Sequence, residues 1–174
     1  MHFEKNIVPV RSIWKREHSL PETNGVYAFW WIGDRDELLQ SNRHIVLKGP
    51  RELPVDVEYR DWWPKEVKWP CLYVGKSTNI KNRFSQHIKK NCLGRLHHPV
   101  EGNFKAKPCT TSCQLRFGIE HIFPREQDPL AVIERNVGFS YKTEFSDNAV
   151  AERFFEEDRL VGYYRPWFNI DSER

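Results

Sequence analysis

The sequence lacks any long apolar run. No stretch approaches the length that spans a membrane, and the amino terminus, Met-His-Phe-Glu-Lys-Asn, lacks the apolar core of a signal peptide. Cysteine is scarce, with four residues at positions 71, 92, 109 and 113. We therefore expect a cytoplasmic protein with reduced thiols and no membrane contact. Internal repeats and low-complexity segments are also absent, which argues against a repeat architecture.

Net charge is small as well, +3 formally, and alone it implies no nucleic acid. Its distribution is uneven, because residues 71–107 hold eight Lys or Arg and one acid, Glu101, so the rest of the chain sums to −4. This separation predicts one basic face or cleft against an acidic remainder. A solvated charged helix would give the same count, so charge alone does not decide between the two.

The length of 174 residues predicts one domain with a sizeable core. We expect a lead-in at 1–24, a domain at 25–170 with inserted segments at about 33–70 and 91–135, and a tail at 171–174. Strands and helices mix without regular alternation, which indicates the α+β class. Trp62, Trp63 and Trp69 are expected to pack the long connection 33–70 onto the domain.

The local patterns predict individual elements. Strands are expected at 25–32, 43–48, 55–60, 71–75, 113–122, within 131–145 and at 167–170. One helix is expected at about 79–90 with Ser77, Thr78 or Asn79 as its N-cap, and another at about 147–164, capped by Ser146 or Asp147 and stopped by Pro166.

The first helix carries a basic pair beside its apolar stripe. Ile80, Phe84 and Ile88 recur at a spacing of four and predict the buried face. Arg83 and His87 are i, i+4 neighbours at the edge of that face. Arginine offers a planar fork of donors and histidine a second donor or proton carrier, so the pair suits a phosphate. A snorkelling arginine and a histidine bonded to backbone would be the structural alternative.

The second helix places a carboxylate within an apolar pattern. On a helical wheel Val150, Phe154, Val161 and Tyr164 define one stripe, and Glu157 falls inside it. Glu152 and Glu156 fall on the opposite face. A buried carboxylate needs a cation, a metal or several donors, so Glu157 is the expected functional glutamate. A core-facing salt bridge is the alternative.

Two triplets, Gly25-Val26-Tyr27 and Tyr73-Val74-Gly75, are followed by Lys76, Arg83 and His87. Together with the stretch Glu157–Asn169, this order resembles the GIY-YIG nuclease family. The resemblance frames most of residues 25–170. It implies a small, mainly antiparallel central sheet of about three core strands flanked by helices. The gap from Tyr27 to Tyr73 and the segment 91–135 are longer than the family's usual pattern.

The resemblance implies a divalent-metal-dependent endonuclease that hydrolyses DNA, as a monomer or homodimer, on branched or sequence-specific duplex substrates. Glu157 would bind one Mg²⁺ or Mn²⁺ ion, and Arg83 would neutralise the transition state. Tyr73 would activate the water or relay its proton with help from Lys76, and Tyr27 would hydrogen-bond the water or brace the site, so the sequence leaves open which tyrosine is the base. His87 would contact phosphate or share the proton relay, and Asn169 would anchor the C-terminal strand or orient the site. DNA binding is expected from Lys76, Lys81, Arg83, Lys89 and Lys90.

Two other functions remain open from the sequence. One is a nucleic-acid-binding module of the same fold without catalysis, because basic and aromatic segments suit a single strand. The other is a zinc-stabilised interaction protein that uses Cys92, Cys109 and Cys113 with His97 and His98. The cysteine spacing is irregular for zinc, and buried or loop thiols are the simpler interpretation.

Overall fold

The computed structural model describes residues 3–88 and 113–170. Within these ranges the chain forms short strands and helices joined by turns. The strands are β1 (Val8–Pro9), β2 (Gly25–Trp31), β3 (His44–Lys48), β4 (Pro54–Glu58), β5 (Cys71–Ser77) and β6 (Val137–Lys142). The helices are α1 (Val10–Trp14), α2 (Arg35–Leu39), α3 (Ile80–Ile88), α4 (Gln114–Ile122), α5 (Pro129–Asn136) and α6 (Val150–Tyr164).

The central sheet is antiparallel and has the strand order β1-β6-β2-β5. All seven residues of β2 are buried. In the register, Tyr27 lies opposite Gly75 of β5 and opposite Tyr141 of β6. The predicted α+β class and antiparallel sheet are therefore confirmed, and β5 is an edge among the described strands.

The sheet has four strands and not the expected three, because the lead-in contributes β1. Val8 pairs with Phe139 of β6, and Phe3 and Val10 of the same segment enter the core. A strand of two residues is too short to give an alternating pattern, which is why the sequence did not reveal it.

The two faces of the sheet are covered by different helices. Tyr27 and Phe29 point toward α3, where Phe84 stacks on Phe29 with ring centroids 6.0 Å apart. Trp30 points to the other face and meets Tyr164 of α6 edge-on at 4.8 Å. Because successive side chains of β2 point to opposite faces of the sheet, its aromatic residues pack against different helices.

The long connection 33–70 forms its own hairpin, β3–β4, and then returns to the domain through tryptophans. Trp63 is buried and stacks on Trp167 at 4.7 Å, and the Trp62 indole N–H donates to the Arg165 carbonyl at 2.8 Å. Trp69 is half-buried against the core. The expectation that these three residues fix the connection to the domain is confirmed.

Three predicted elements are wrong. Residues 113–122 form helix α4 and not a strand, because Leu115, Ile119 and Ile122 follow helical spacing and their side chains are buried. α6 begins at Val150, with Ala149 as its N-cap, so neither Ser146 nor Asp147 caps it. Residues 167–169 form a 3₁₀ turn where a strand was expected.

The N-cap of α3 is confirmed. The Asn79 side-chain oxygen accepts the backbone N–H of Asn82 at 2.9 Å, the bond expected of an N-cap asparagine. No helix within residues 3–88 and 113–170 is long and apolar enough to cross a membrane.

Candidate active site

The two tyrosines of the triplets meet a histidine on the α3 face of the sheet. Tyr27 Oη lies 2.7 Å from His87 Nε2. Tyr73 is the neighbour of both, with ring centroids 4.9 Å from His87 and 6.1 Å from Tyr27. Strand pairing of β2 with β5 and the packing of α3 therefore bring together three residues that are distant in sequence.

The glycine of the second triplet makes room for this cluster. A Cβ added to Gly75 would lie 2.5 Å from Tyr27 Oη and 2.9 Å from Tyr73 Cε1. The Tyr27 side chain thus crosses over β5 at the one position without a side chain. Gly25 has a separate reason, since its Cβ would lie 2.3 Å from the Lys142 carbonyl oxygen on β6.

Helix α4 determines which nitrogen of His87 carries the proton. The backbone N–H of Leu115 donates to His87 Nδ1 at 3.5 Å, so the proton of the neutral ring is on Nε2 and is donated to Tyr27 Oη. Burial, and then the nearby charge of Arg83, lower the pKa of His87 to about 3. His87 therefore stays neutral at working pH.

His87 is fully buried, and this corrects part of its predicted role. The wheel placed it beside the buried stripe of α3, where a phosphate contact was one of its two expected roles. In the structure its ring lies under Tyr27, Phe29 and Tyr73, so it does not reach a phosphate bound at the surface. A share in the proton relay is the role that its position allows.

Tyr27 is held in its neutral form. Burial raises its pKa well above the ordinary value; the adjacent Tyr73 also raises it, whereas Arg83 opposes the shift. Tyr27 Oη accepts from His87 Nε2, and the neutral phenol is the form that this buried position favours.

Arg83 is the cation on this face. Its side chain is half-buried, and its charge lowers the pKa of both Tyr27 and His87. Among residues 3–88 and 113–170 no carboxylate or hydrogen-bond acceptor pairs with its guanidinium. A half-buried guanidinium without a protein partner is a ready site for an anion.

The other half of the site lies between β5 and α6. Lys76 forms an ion pair with Glu157, and its Nζ lies 4.1 Å from the ring centroid of Phe154. Strand residues alternate faces, so Lys76 points away from the side that carries Tyr73. The expectation that Lys76 assists Tyr73 is therefore wrong, and Arg83 is the cation beside the tyrosines.

The wheel of α6 was also wrong about its buried face. Val150 and Phe154 are 61% and 49% exposed, and the helix packs through Arg153, Leu160 and Tyr164. The buried face is thus rotated toward Arg153, whose guanidinium donates to the Ser146 carbonyl at 3.1 Å. Glu157 lies beside this face and not inside an apolar stripe.

Glu156 and Glu157 flank the buried face of α6 equally, with side chains each 16% exposed. Glu156, expected on the opposite side, bonds Lys142 and Arg159, and these contacts, with the Arg159 hydrogen bond foremost, lower its pKa. Glu157 has Lys76 on one oxygen only. The two carboxylates therefore differ by their partners and not by burial.

Asn169 ties the carboxyl-terminal segment to the edge of β5. Its side-chain oxygen accepts the Val74 N–H and its amide donates to the Val74 carbonyl, both at 2.8 Å. Val74 lies in the second triplet, next to Tyr73. The predicted anchoring role of Asn169 agrees with these two bonds, which hold the strand that carries Tyr73 and Lys76.

Several predicted residues lie apart from this cluster or outside the described residues. Lys81 is exposed and pairs with Glu22 at 2.6 Å. Lys89, Lys90, Cys92, His97, His98 and Cys109 fall in the range 89–112, which the structure does not describe. Cys113 is buried at the N-cap of α4.

The donor set for a metal is small. Within the described ranges no group of three or more His, Cys, Asp or Glu side chains could hold an ion. The charge of Glu157 contributes to the raised pKa of Tyr27, which links this carboxylate to the tyrosine cluster. One carboxylate fits a hard cation whose other ligands are water and phosphate, as Mg²⁺ prefers.

Sequence reasoning missed two contributors to the site. The backbone of Leu115 sets the His87 tautomer, and it lies on a helix that was expected to be a strand. Gly75 carried a signal that could have been used, because a glycine inside a buried strand marks a close approach of neighbouring atoms.

Compared with known proteins, the chain matches no protein-family model, no curated protein and no solved structure.

Proposed function

We propose that this protein is a divalent-metal-dependent endonuclease that hydrolyses DNA phosphodiester bonds and belongs to the GIY-YIG type. The observation that carries the proposal is the Arg83 guanidinium, which has no partner among the described residues and lies beside the Tyr27–Tyr73–His87 cluster. The strand that bears Lys76, the ion-pair partner of Glu157, is part of the same site. An anion site, a chain of hydroxyl groups and a carboxylate together suit phosphoryl chemistry.

The scissile phosphate would bind at the β5 edge, where both halves of the site meet. Arg83 would bind the phosphate from the α3 side, because its guanidinium has no partner among the described residues. Lys76 would approach from the α6 side, where it already faces an anion, Glu157. Both cations would neutralise the charge that accumulates on phosphorus in the transition state.

Tyr73 is the better candidate for the residue that takes the proton of the attacking water. Tyr27 is buried and its pKa is raised, so it is neither ionised nor in contact with bulk solvent. Tyr73 is half-buried and therefore closer to solvent than Tyr27, and its ring lies beside those of Tyr27 and His87. Tyr73 would take a proton from the water, the water oxygen would bond phosphorus, the bond to the 3′ oxygen would break, and that oxygen would take its proton from solvent water.

Glu157 would hold the metal ion, since its second carboxylate oxygen has no partner among the described residues. A bound Mg²⁺ or Mn²⁺ supplies charge stabilisation to the phosphate and the leaving oxygen. Lys76 shares this carboxylate, so it would hold Glu157 in place.

The proposal is tested by incubating the protein with Mg²⁺ or Mn²⁺ and a panel of supercoiled, branched and single-stranded DNA. Cleavage of at least one substrate is expected. Arg83→Ala should slow it by about 100-fold or more, as loss of a transition-state donor does. Arg125→Ala is the charge-matched control, because Arg125 is an exposed arginine in the turn between α4 and α5. Equal rates for the two variants would contradict the proposal.

The binding module without catalysis is the second candidate. It is favoured by one observation, the Lys76 ammonium that already neutralises Glu157. For such a module, DNA would bind with an affinity that does not depend on divalent ions, and no member of the panel would be cut.

A further inference from the structure

The turn that follows α1 has an unusual residue at its most constrained position. Arg16 adopts a left-handed conformation with φ of 62°. Its N–H donates to the Ile13 carbonyl at 3.1 Å, and the N–H of Glu17 donates to the Ser12 carbonyl at 2.9 Å. This pair of bonds is the Schellman motif, in which glycine is the usual residue at the position of Arg16.

The same turn displays positive charge to solvent. Arg11, Lys15 and Arg16 are exposed, and none of their side chains forms an ion pair or hydrogen bond within the described part of the chain. Glu17 is the one acid of this segment, so the stretch from Arg11 to Glu17 has a net charge of +2.

A structural explanation covers part of this charge. Cations near the carboxyl end of a helix are favourable because the last carbonyls carry partial negative charge, and this accounts for Arg11 and Lys15. It does not account for arginine in the left-handed position, where glycine would avoid the steric cost that a Cβ brings. Arg51 and Arg165 also have positive φ, so the feature that distinguishes Arg16 is its position beside His18, which contacts the sheet face that carries the tyrosines.

The turn lies next to the proposed site. His18, two residues after Arg16, has Nε2 3.2 Å from Tyr141 Oη. Tyr141 is the direct cross-strand partner of Tyr27, so both side chains project from the same face of the sheet. Neighbouring strands are about 5 Å apart, so His18, the last residue of this basic turn, contacts a side chain one strand away from Tyr27.

We propose that the turn Lys15–His18 binds a backbone phosphate of the DNA that flanks the cut. The inference rests on the proposed function and adds a contact surface from the lead-in, outside the residues that carry the family resemblance. Arg16 donates from its guanidinium, Lys15 adds a second charge, and the hydrogen bond of His18 to Tyr141 fixes the turn against β6.

Arg16→Gly is a sharp test, because glycine removes the charge and relieves the left-handed backbone. The variant should melt no lower than wild type. Its affinity for a labelled duplex, measured by fluorescence anisotropy without divalent ions, should fall several-fold. The slope of log affinity against log salt between about 50 and 200 mM should become shallower by about 0.9, the loss of one phosphate contact.

Arg51→Gly is the matched control. Arg51 is an exposed arginine with φ of 56° at the tip of the β3–β4 hairpin, so the substitution removes the same charge from the same backbone conformation. Its affinity and salt slope should equal those of wild type. Unchanged affinity for Arg16→Gly, or equal losses for both variants, would overturn the inference.

The outcome separates this inference from the proposed function. If wild type binds and cuts DNA and Arg16→Gly does both equally well, the turn is not a contact surface and the nuclease proposal stands. If wild type neither binds the duplex nor cuts any DNA of the panel, both fail together.

Discussion

The two helices that carry the proposed site contact the sheet in different ways. α3 packs through its apolar stripe, Ile80, Phe84 and Ile88, as its sequence predicts. α6 packs through Arg153, Leu160 and Tyr164, and it leaves Phe155 69% exposed. The spacing of apolar residues therefore predicted the buried face of α3 correctly and that of α6 wrongly.

The two helices differ because α6 buries a polar residue, Arg153, on the face that contacts the sheet. On α3 the stripe is continuous along the helix and meets Phe29 and Phe139 of the sheet. On α6 the buried Arg153 is satisfied by backbone carbonyls of the preceding loop, so its burial leaves no donor unpaired at that site. A protein core is built from apolar side chains, but this rule does not require every apolar side chain to be buried. The exposed phenylalanines of α6 therefore do not contradict it.

The largest expected effect concerns which face of α6 is the core. Leu160→Ala should lower the free energy of unfolding by about 2–5 kcal/mol, because Leu160 is buried. Phe155→Ala should change it by less than about 0.5 kcal/mol, because most of that ring already faces solvent. Urea unfolding measures both. A large loss for Phe155→Ala with none for Leu160→Ala would contradict this assignment of the buried face.

A second prediction compares a glycine of β5 with a glycine of α6. Gly75→Ala should destabilise the fold by about 1–3 kcal/mol, because the new methyl group overlaps the Tyr27 side chain. Gly162→Ala meets no atom within 4 Å and should stabilise the helix by about 0.5–1 kcal/mol. Thermal unfolding provides the measurement. Similar changes in the same direction would show that Gly75 is not a packing requirement.

A third prediction concerns acid stability on the α3 side. The pKa of His87 is about 3 in the fold and 6.5 when unperturbed, so between these values the unfolded chain binds the extra proton. Stability from this group is complete above pH 6.5 and is lost as pH falls toward 3. From pH 7.5 to 5.5 the loss is about 1.4 kcal/mol.

His87→Gln is the control for this pH dependence, since glutamine keeps a donor for Tyr27 but does not titrate. Urea unfolding of both proteins at the two pH values should show a shallower dependence for the variant. An unchanged dependence would place the titrating group elsewhere.

The parts of the fold that sequence predicted are those with a strong local period. β2 and β5 are buried runs bounded by breakers, and α3 has both a cap residue and an apolar stripe. α4 was misread because its nine residues carry too few apolar positions to separate a period of two from one of 3.6. Strand β1 depends on pairing with β6, which no local pattern encodes.

The sequence indicated which residues to consider for the candidate site better than it indicated how those residues contact one another. The triplets placed Tyr27 and Tyr73 on paired strands, and the structure brings them together with His87. The partners were not predictable in the same way. Lys76 faces Glu157 and not Tyr73, since alternation along β5 and the rotation of α6 together decide this contact. The alternation of side chains along β5 could have been used at the level of the sequence, and it would have placed Lys76 on the face opposite to Tyr73.

The central claim is that Glu157, and not its neighbour Glu156, works with the α3 half of the site. The direct measurement is the single-turnover rate of DNA cleavage in Mg²⁺ for Glu157→Gln and Glu156→Gln, two isosteric changes at side chains of equal exposure. The account predicts a loss of about 100-fold or more for Glu157→Gln and a rate close to wild type for Glu156→Gln. Rapid cleavage by Glu157→Gln, or an equal loss in both variants, would contradict it.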